Sequence, residues 1–136
     1  MPIESIIGIL TIIFMLMAMT RKVAILVATK APEQSREKSP NVGFKILIWF
    51  SKYHRLFAIT ALLLALFHGA LIFAKTGSIS VSGSVLIGIL IIQGTSGYLL
   101  EKNLGNQKIA SLVHKIVPFI AVGLVIVHII VNSLGY

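Results

Sequence analysis

The sequence contains no cysteine, and it contains only four acidic residues against twelve lysines and arginines. The absence of cysteine excludes disulfide bonds, thiolate metal sites and a covalently attached c-type haem, which needs a Cys-x-x-Cys-His motif. Charged residues of both signs together make up only 12% of the 136 residues. Because a soluble domain of this length needs far more polar surface to cover its core, this shortage of charge excludes most soluble folds.

Long apolar runs are what the sequence has in abundance. Hydrophobic residues make up 57% of the chain, and the mean hydropathy is +0.97. The runs approach the roughly 20 residues that an α-helix needs to cross a bilayer. We therefore expect one integral membrane domain over residues 1–136, an all-α, up-and-down transmembrane four-helix bundle. The expected helices cover residues 4–27, 52–74, 84–100 and 111–133, and a polar linker covers 31–41.

The positive charges are distributed unevenly along the chain. Eleven of the twelve lysines and arginines lie in or beside the linker at 31–41 and the connection between helices three and four, and only Lys75 lies on the opposite side. The positive-inside rule predicts that the charged side is cytoplasmic, with both termini outside. Arg21 interrupts the first apolar run, and we expect it to reach the headgroups or to meet an anionic group in the bundle. The distribution indicates membrane lipid as the surroundings and no nucleic-acid partner.

All four histidines lie at the ends of two apolar segments of equal length. HRLFAITALLLALFH runs from His54 to His68, and HKIVPFIAVGLVIVH runs from His114 to His128. Fourteen positions along an α-helix give about 21 Å of rise and leave the two side chains roughly 40° apart. Since helices two and four run in the same direction, we expect two facing pairs. The inner pair, on the cytoplasmic side, is His54 with His114, and the outer pair is His68 with His128.

Two facing imidazoles allow three interpretations. Four independent histidines that hydrogen-bond neighbours would avoid the cost of about 1–3 kcal/mol for each unpartnered buried nitrogen. A structural zinc ion needs four ligands, but each pair offers two, and no acidic residue lies in the outer half of helix two or four. Haem iron takes two axial ligands on opposite faces of a plane. The pattern favours two b-type haems, an inner one on His54 and His114 and an outer one on His68 and His128.

Small residues recur at matching positions near these histidines. Ala61 and Ala121 lie midway along the two segments, where two bulky cofactors above and below leave little room. Gly83 and Gly97 are fourteen positions apart on helix three, and we expect them near the outer and the inner haem respectively. Their missing side chains would admit a porphyrin edge, although plain helix packing explains such glycines as well. Gly8 on helix one has no matching glycine.

Two helices that each read His, thirteen residues, His resemble the di-haem core of membrane cytochromes b. The pattern is similar to the cytochrome b of quinol–cytochrome c oxidoreductases, to the membrane domains of ferric reductases and NADPH oxidases, and to small bacterial four-helix di-haem cytochromes b. The resemblance implies that the four histidines are axial ligands and that electrons cross the bilayer from haem to haem. It covers helices two to four. The Pro-Glu-Trp-Tyr quinol-site motif of the respiratory proteins is absent.

We therefore expect transmembrane electron transfer in a bacterial or archaeal cytoplasmic membrane. The chain would be a membrane subunit that passes electrons between a quinone pool or a partner subunit and a redox partner. Arg55 and Lys115 each follow an inner histidine, and they would bind haem propionates or act only as interfacial charges.

The alternative function is that of a quinol-dependent oxidoreductase that acts at a haem edge, of the ferric reductase or superoxide oxidase type. Glu101, at the inner end of helix three, is the candidate for quinol proton transfer. Three neighbours in the sequence could assist it: Gln93, Tyr98 and Lys102.

Overall fold

The computed structural model describes residues 2–30 and 42–134, and these residues form four α-helices in up-and-down hairpin packing. The helices are α1 (Ile3–Lys30), α2 (Val42–Thr76), α3 (Val81–Glu101) and α4 (Gln107–Ser133). Each contains a segment that is long and apolar enough to cross a membrane. The all-α prediction is confirmed, whereas the direction of the termini relative to the membrane stays a prediction. The expected polar linker at 31–41 lies outside the described residues.

Helix α2 is the element whose length differs most from the expectation. It begins at Val42 and has 35 residues, whereas the sequence predicted a start near residue 52. The segment after Gly43 contains no proline or further glycine until Gly69, so nothing in it stops a helix from extending backwards. Trp49 lies in this extension, and its ring centroid is 5.2 Å from that of Phe50 and 5.0 Å from that of Tyr53.

Short connections with defined caps reverse the chain between the later helices. Gly77 follows α2 with a φ of 73°, a conformation that glycine adopts without a Cβ penalty. The Ser80 side chain caps α3 by accepting the N–H of Gly83 at 3.2 Å. The Asn106 side chain caps α4 by accepting the N–H groups of the second and third helical residues at 3.1 and 3.2 Å. These tight turns make α2, α3 and α4 alternate in direction.

The four helices pack as two hairpins with a looser seam between them. α1 lies closely against α2 and α3 closely against α4, while α2 approaches α3 at fewer places, and no other pair of described helices has extended backbone contact. The central cluster is Met15 with Ala61 and Ala121, whose exposures are 7%, 1% and 2%. The two alanines that the sequence placed at the midpoint of the histidine segments thus lie together in the middle of the bundle.

The outer surfaces of the helices are strongly apolar. Leu63 is 61% exposed and Phe119 is 64% exposed, and many other large apolar side chains point outward in the same way. Hydrocarbon is a suitable solvent for such a surface, because each helix satisfies its own backbone hydrogen bonds. Four helices of this length and composition suggest an integral membrane protein.

Candidate functional site

His68 of α2 and His128 of α4, the outer pair, face each other at the end of the bundle. Their ring centroids are 6.5 Å apart, and the rings lie edge to face at 81°. Imidazole nitrogens lie about 2 Å from a metal that they ligate, so two rings that share one metal have centroids about 6 Å apart. The centroid separation of the outer pair is close to this value.

Both rings of the outer pair are held at their Nδ1 atoms by neighbouring helices. The Nδ1–H of His68 donates to the backbone carbonyl of Glu4 at 2.8 Å. The Nδ1 of His128 is 2.9 Å from the Ser82 hydroxyl, and it is also 3.1 Å from the side-chain nitrogen of Asn132. A backbone carbonyl only accepts, so the contact to Glu4 leaves the Nε2 of His68 as the nitrogen with a lone pair.

His54 of α2, in the inner pair, is held by its own helix and by α1. Its Nδ1–H donates to the carbonyl of Ser51 at 3.1 Å. The guanidinium of Arg21 lies with Nη1 at 3.0 Å from the Nε2 of the same ring and donates to it. Arg21 therefore meets a histidine, whereas the sequence analysis expected headgroups or an anionic group.

His114 is contacted by two adjacent turns of α3, through Gln93 and Ser96. Its Nδ1 is 3.0 Å from the amide Nε2 of Gln93 and 3.3 Å from the hydroxyl of Ser96. In a regular helix, the residue four positions after His114 donates its N–H to the His114 carbonyl. That residue is Pro118, which has no N–H to donate. Gln93 Nε2 lies 3.4 Å from this carbonyl oxygen and donates to it. The inner histidine of α4 therefore sits at a proline break that a side chain of α3 covers.

Three glycines lie directly against histidine rings. A Cβ at Gly97 would be 3.0 Å from Cε1 of His114, and a Cβ at Gly83 would be 3.4 Å from Cε1 of His128. A Cβ at Gly8 would be 3.2 Å from Cε1 of His68. Gly83 and Gly97 thus lie at the outer and the inner level respectively. In this structure their missing side chains make room for a histidine ring, and the clearance of a porphyrin edge stays a prediction.

The two basic residues that follow the inner histidines have different surroundings. Arg55 donates through Nη1 to Oε1 of Glu101 at 2.6 Å, and these side chains are 59% and 43% exposed. The sequence analysis did not consider this partner. Lys115 lines an open depression on the surface of α4 with four other residues of that helix: Gln107, Lys108, Ser111 and Leu112. A propionate-binding role for either side chain stays a prediction.

The residues considered for quinol chemistry do not share one set of contacts. Glu101 is paired with Arg55, whereas the Gln93 amide contacts His114. The side chain of Tyr98 is among the exposed residues of α3, and Lys102 forms its C-terminal cap.

A second ion pair lies at the outer end. Lys75, at the end of α2, donates through Nζ to Oε1 of Glu4, at the start of α1. This pair ties the two helix ends together beside the Glu4 carbonyl that accepts from His68. Among the residues that the structure describes, no three side chains from His, Asp or Glu gather closely enough to hold a metal ion. The histidine pairs therefore offer two protein ligands each.

The groups that hold the rings were not predicted from the sequence. These groups are the carbonyl of Glu4 and the side chains of Arg21, Ser82, Gln93 and Ser96. Two of them gave a signal in the sequence, because an arginine and a glutamine inside apolar helices need polar partners.

Comparison of the chain with protein-family models, with curated proteins and with solved structures finds no match. The resemblance to membrane cytochromes b rests on the histidine and glycine positions.

Proposed function

We propose that the chain binds two b-type haems, one through His54 and His114 and one through His68 and His128, and that it transfers electrons across a membrane. A bound haem supplies an iron that carries one electron at a time. The observation that carries the proposal is the outer pair, whose ring centroids lie 6.5 Å apart from opposite sides of the bundle.

The hydrogen bonds at Nδ1 of His54 and His68 support ligation through Nε2, because a backbone carbonyl only accepts. A ligating histidine uses its second ring nitrogen to donate to a carbonyl, a carboxylate or another acceptor, which fixes its ring orientation. Each of the four rings has a polar group at Nδ1, whereas the Nε2 of His54 accepts from Arg21, which a metal bound at that nitrogen would displace. His54 and His68 face backbone carbonyls, His128 faces a hydroxyl, and His114 faces an amide and a hydroxyl.

The packing of the bundle also fits two flat cofactors. The backbones of α2 and α4 do not make extended contact, although both helices carry the histidines. They come together at Ala61 and Ala121, midway between the inner and the outer pair. Gly83 and Gly97 remove side-chain atoms beside the two rings of α4. Each of these features leaves space for a flat cofactor between α2 and α4 beside the inner and the outer pair.

Two protein ligands on one iron leave no open coordination position, so electron transfer is favoured over activation of a small molecule. The two levels are about 21 Å apart along the helices, within a hydrocarbon core of about 30 Å. Each level would therefore serve one face of the membrane. The surplus of lysine and arginine supports a cytoplasmic location for the inner level in a bacterial or archaeal membrane, with a quinone or a partner subunit as a redox partner.

The proposed function is tested with purified full-length protein in sealed vesicles. The wild-type chain should show a b-type α band in its reduced-minus-oxidised spectrum. It should also let an impermeant external reductant reduce an oxidant trapped inside. Lipid-soluble mediators are left out, because a quinone carries electrons across lipid by itself.

The matched control is a His54→Ala, His114→Ala double variant in vesicles of the same composition. It should retain the outer haem and lose the transfer, because neither level alone reaches both faces. Transfer at the wild-type rate in a variant that has lost the inner haem would contradict a path through both levels. The absence of an α band in the wild-type protein would end the proposal.

A further inference from the structure

Gln93 is a polar side chain in an apolar helix, and one end of its amide is unexplained. Its Nε2 lies 3.0 Å from Nδ1 of His114 and 3.4 Å from the His114 carbonyl oxygen. Its Oε1 is buried and has no hydrogen-bond partner among the residues that the structure describes. A buried amide oxygen without a donor is costly, so its position beside a candidate ligand calls for a physical reason.

The two ends of a glutamine amide have nearly the same shape. A half-turn about the last side-chain bond therefore exchanges Oε1 and Nε2 without moving the neighbours. After this half-turn, Oε1 lies about 3 Å from Nδ1 of His114 and accepts the Nδ1–H. The half-turn gives up the contact to the His114 carbonyl, which is the longer of the two and therefore the weaker, and it brings Nε2 to the position where Oε1 had no described partner. The gain is therefore an acceptor at Nδ1 of His114 and not a fully satisfied amide.

A histidine that ligates iron through Nε2 carries its remaining proton on Nδ1, and that N–H needs an acceptor. Ser96 is placed to share this task, because its hydroxyl donates to the backbone carbonyl of Gln93 at 2.9 Å. Its lone pairs are then left 3.3 Å from Nδ1. Ser96 is only 4% exposed, so water does not replace it readily. The surroundings of His114 Nδ1 thus match the needs of a ligating ring.

We propose that Gln93 is a positioning residue of the inner site, whose amide oxygen accepts the Nδ1–H of His114 and thereby sets the redox potential of the iron that His114 ligates. This inference rests on the proposed function. A stronger acceptor at Nδ1 makes the imidazole more basic and favours the oxidised iron. At the outer level the corresponding group of α3 is the Ser82 hydroxyl beside Nδ1 of His128, whereas the Gln93 amide can be changed to a carboxylate of nearly the same shape. Gln93 is therefore a position where the strength of the acceptor can be varied.

The experiment uses the full chain with His68→Ala and His128→Ala, so that only the inner haem remains to be measured. Gln93→Leu and Gln93→Glu are compared with the unchanged Gln93 by potentiometric titration of the α band. The midpoint potential should be highest for leucine, intermediate for glutamine and lowest for glutamate. Haem affinity should fall by about 10-fold or more in the leucine variant, as it does when a group that orients a metal ligand is lost. Gln93→Met replaces the leucine variant if that variant does not fold.

Gln107 provides the matched control. Its side chain also lies near the inner end, but its Nε2 donates to the carbonyls of Leu99 and Leu104. Gln107→Leu and Gln107→Glu should leave the potential unchanged. Two results would overturn the role of Gln93 and leave the proposed function standing. The bound haem could have the same potential in all Gln93 variants, or its potential could shift in the same direction for leucine and glutamate. Loss of all haem from the starting variant, with Gln93 intact, would overturn the proposed function together with this inference.

Discussion

The two ends of the bundle hold their histidines by the same arrangement of helices but with different chemical groups. At both ends, α1 contacts the histidine of α2, and α3 contacts the histidine of α4. The contacts at the outer end come from uncharged groups, the carbonyl of Glu4 and the hydroxyl of Ser82. At the inner end they come from the guanidinium of Arg21 and the amide of Gln93.

The difference teaches that one scaffold repeated at two levels need not give two equal sites. A fixed positive charge beside a metal ligand disfavours the more positive, oxidised state of the metal. With haem bound as proposed, the charge of Arg21 near the inner ring would favour reduction there, and the outer end has no described arginine in contact with either histidine. The comparison predicts a higher midpoint potential for the proposed inner haem than for the outer one.

The largest expected effect comes from removing one ligand. His68→Ala and His128→Ala should each remove the same haem, about half of the b-type absorbance, because one axial ligand alone does not hold it. His54→Ala and His114→Ala should remove the other haem. Because Arg21 lies beside His54, the haem left in His68→Ala should have the higher midpoint potential. Redox titrations followed at the α band measure both the amount and the potential.

The pairing would be wrong if His68→Ala and His114→Ala lost the same haem while His128→Ala lost the other. Equal potentials for the two remaining haems would remove the difference between the inner and the outer end. Ser133→Ala is a suitable control, because its hydroxyl contacts only the backbone of its own helix.

A smaller effect is expected from filling the space beside a ring. Gly97→Ala places a methyl group 3.0 Å from Cε1 of His114, whereas a methyl group at Gly94 meets nothing within 4 Å. Gly97→Ala should therefore cost about 1–3 kcal/mol of unfolding free energy as an overpacked contact. Gly94→Ala should be neutral or should stabilise α3 by up to about 1 kcal/mol. Thermal unfolding in detergent and the retained inner haem are the measurements.

The outer level offers the same test with another pair of glycines. Gly8→Ala brings a methyl group 3.2 Å from Cε1 of His68, while Gly88→Ala meets no neighbour within 4 Å. The amount of bound outer haem should fall in Gly8→Ala and stay unchanged in Gly88→Ala. Similar stability for Gly97→Ala and Gly94→Ala would show that the close approach of α3 to His114 is not a constraint.

The smallest effect is expected at the inner ion pair. Arg55 and Glu101 are both largely exposed, and such a pair contributes at most about 1 kcal/mol. Glu101→Gln should therefore change Tm little and leave electron transfer intact. In the ion pair at the outer end, the Glu4 side chain is only 15% exposed. Lys75→Met should therefore lower Tm more than Glu101→Gln does. Loss of quinol-dependent haem reduction in Glu101→Gln would contradict this prediction and place Glu101 in proton transfer.

The helices and the levels of the histidines followed from the sequence because both depend on spacing along one chain. Long apolar runs specify spanning helices, and fourteen positions bring two side chains back to nearly the same face. The early start of α2 escaped prediction, since an aromatic and apolar lead-in segment fits both a helix and an interfacial loop.

The groups around the rings could not be predicted in the same way, because they depend on how helices are rotated and shifted relative to one another. Glu4 lies 64 positions before His68, and it reaches that ring through a backbone carbonyl, which carries no mark in the sequence. Arg55 and Glu101 are 46 positions apart and meet only because α2 and α3 pack side by side. Gly8 had no counterpart in the glycine pattern, yet it faces His68 as closely as Gly83 faces His128.

The loose seam between the two hairpins bears on how the protein is assembled. Lipid tails are as apolar as leucine, so two hairpins already inserted in a bilayer have little hydrophobic drive to associate. α2 and α3 meet at few places, one of them the contact of Gly69 with Ile87. Each histidine pair takes one ring from each hairpin, so a ligand that bridged a pair would join the two hairpins. Its binding free energy then becomes assembly free energy, and biogenesis of the bundle would depend on the supply of that ligand.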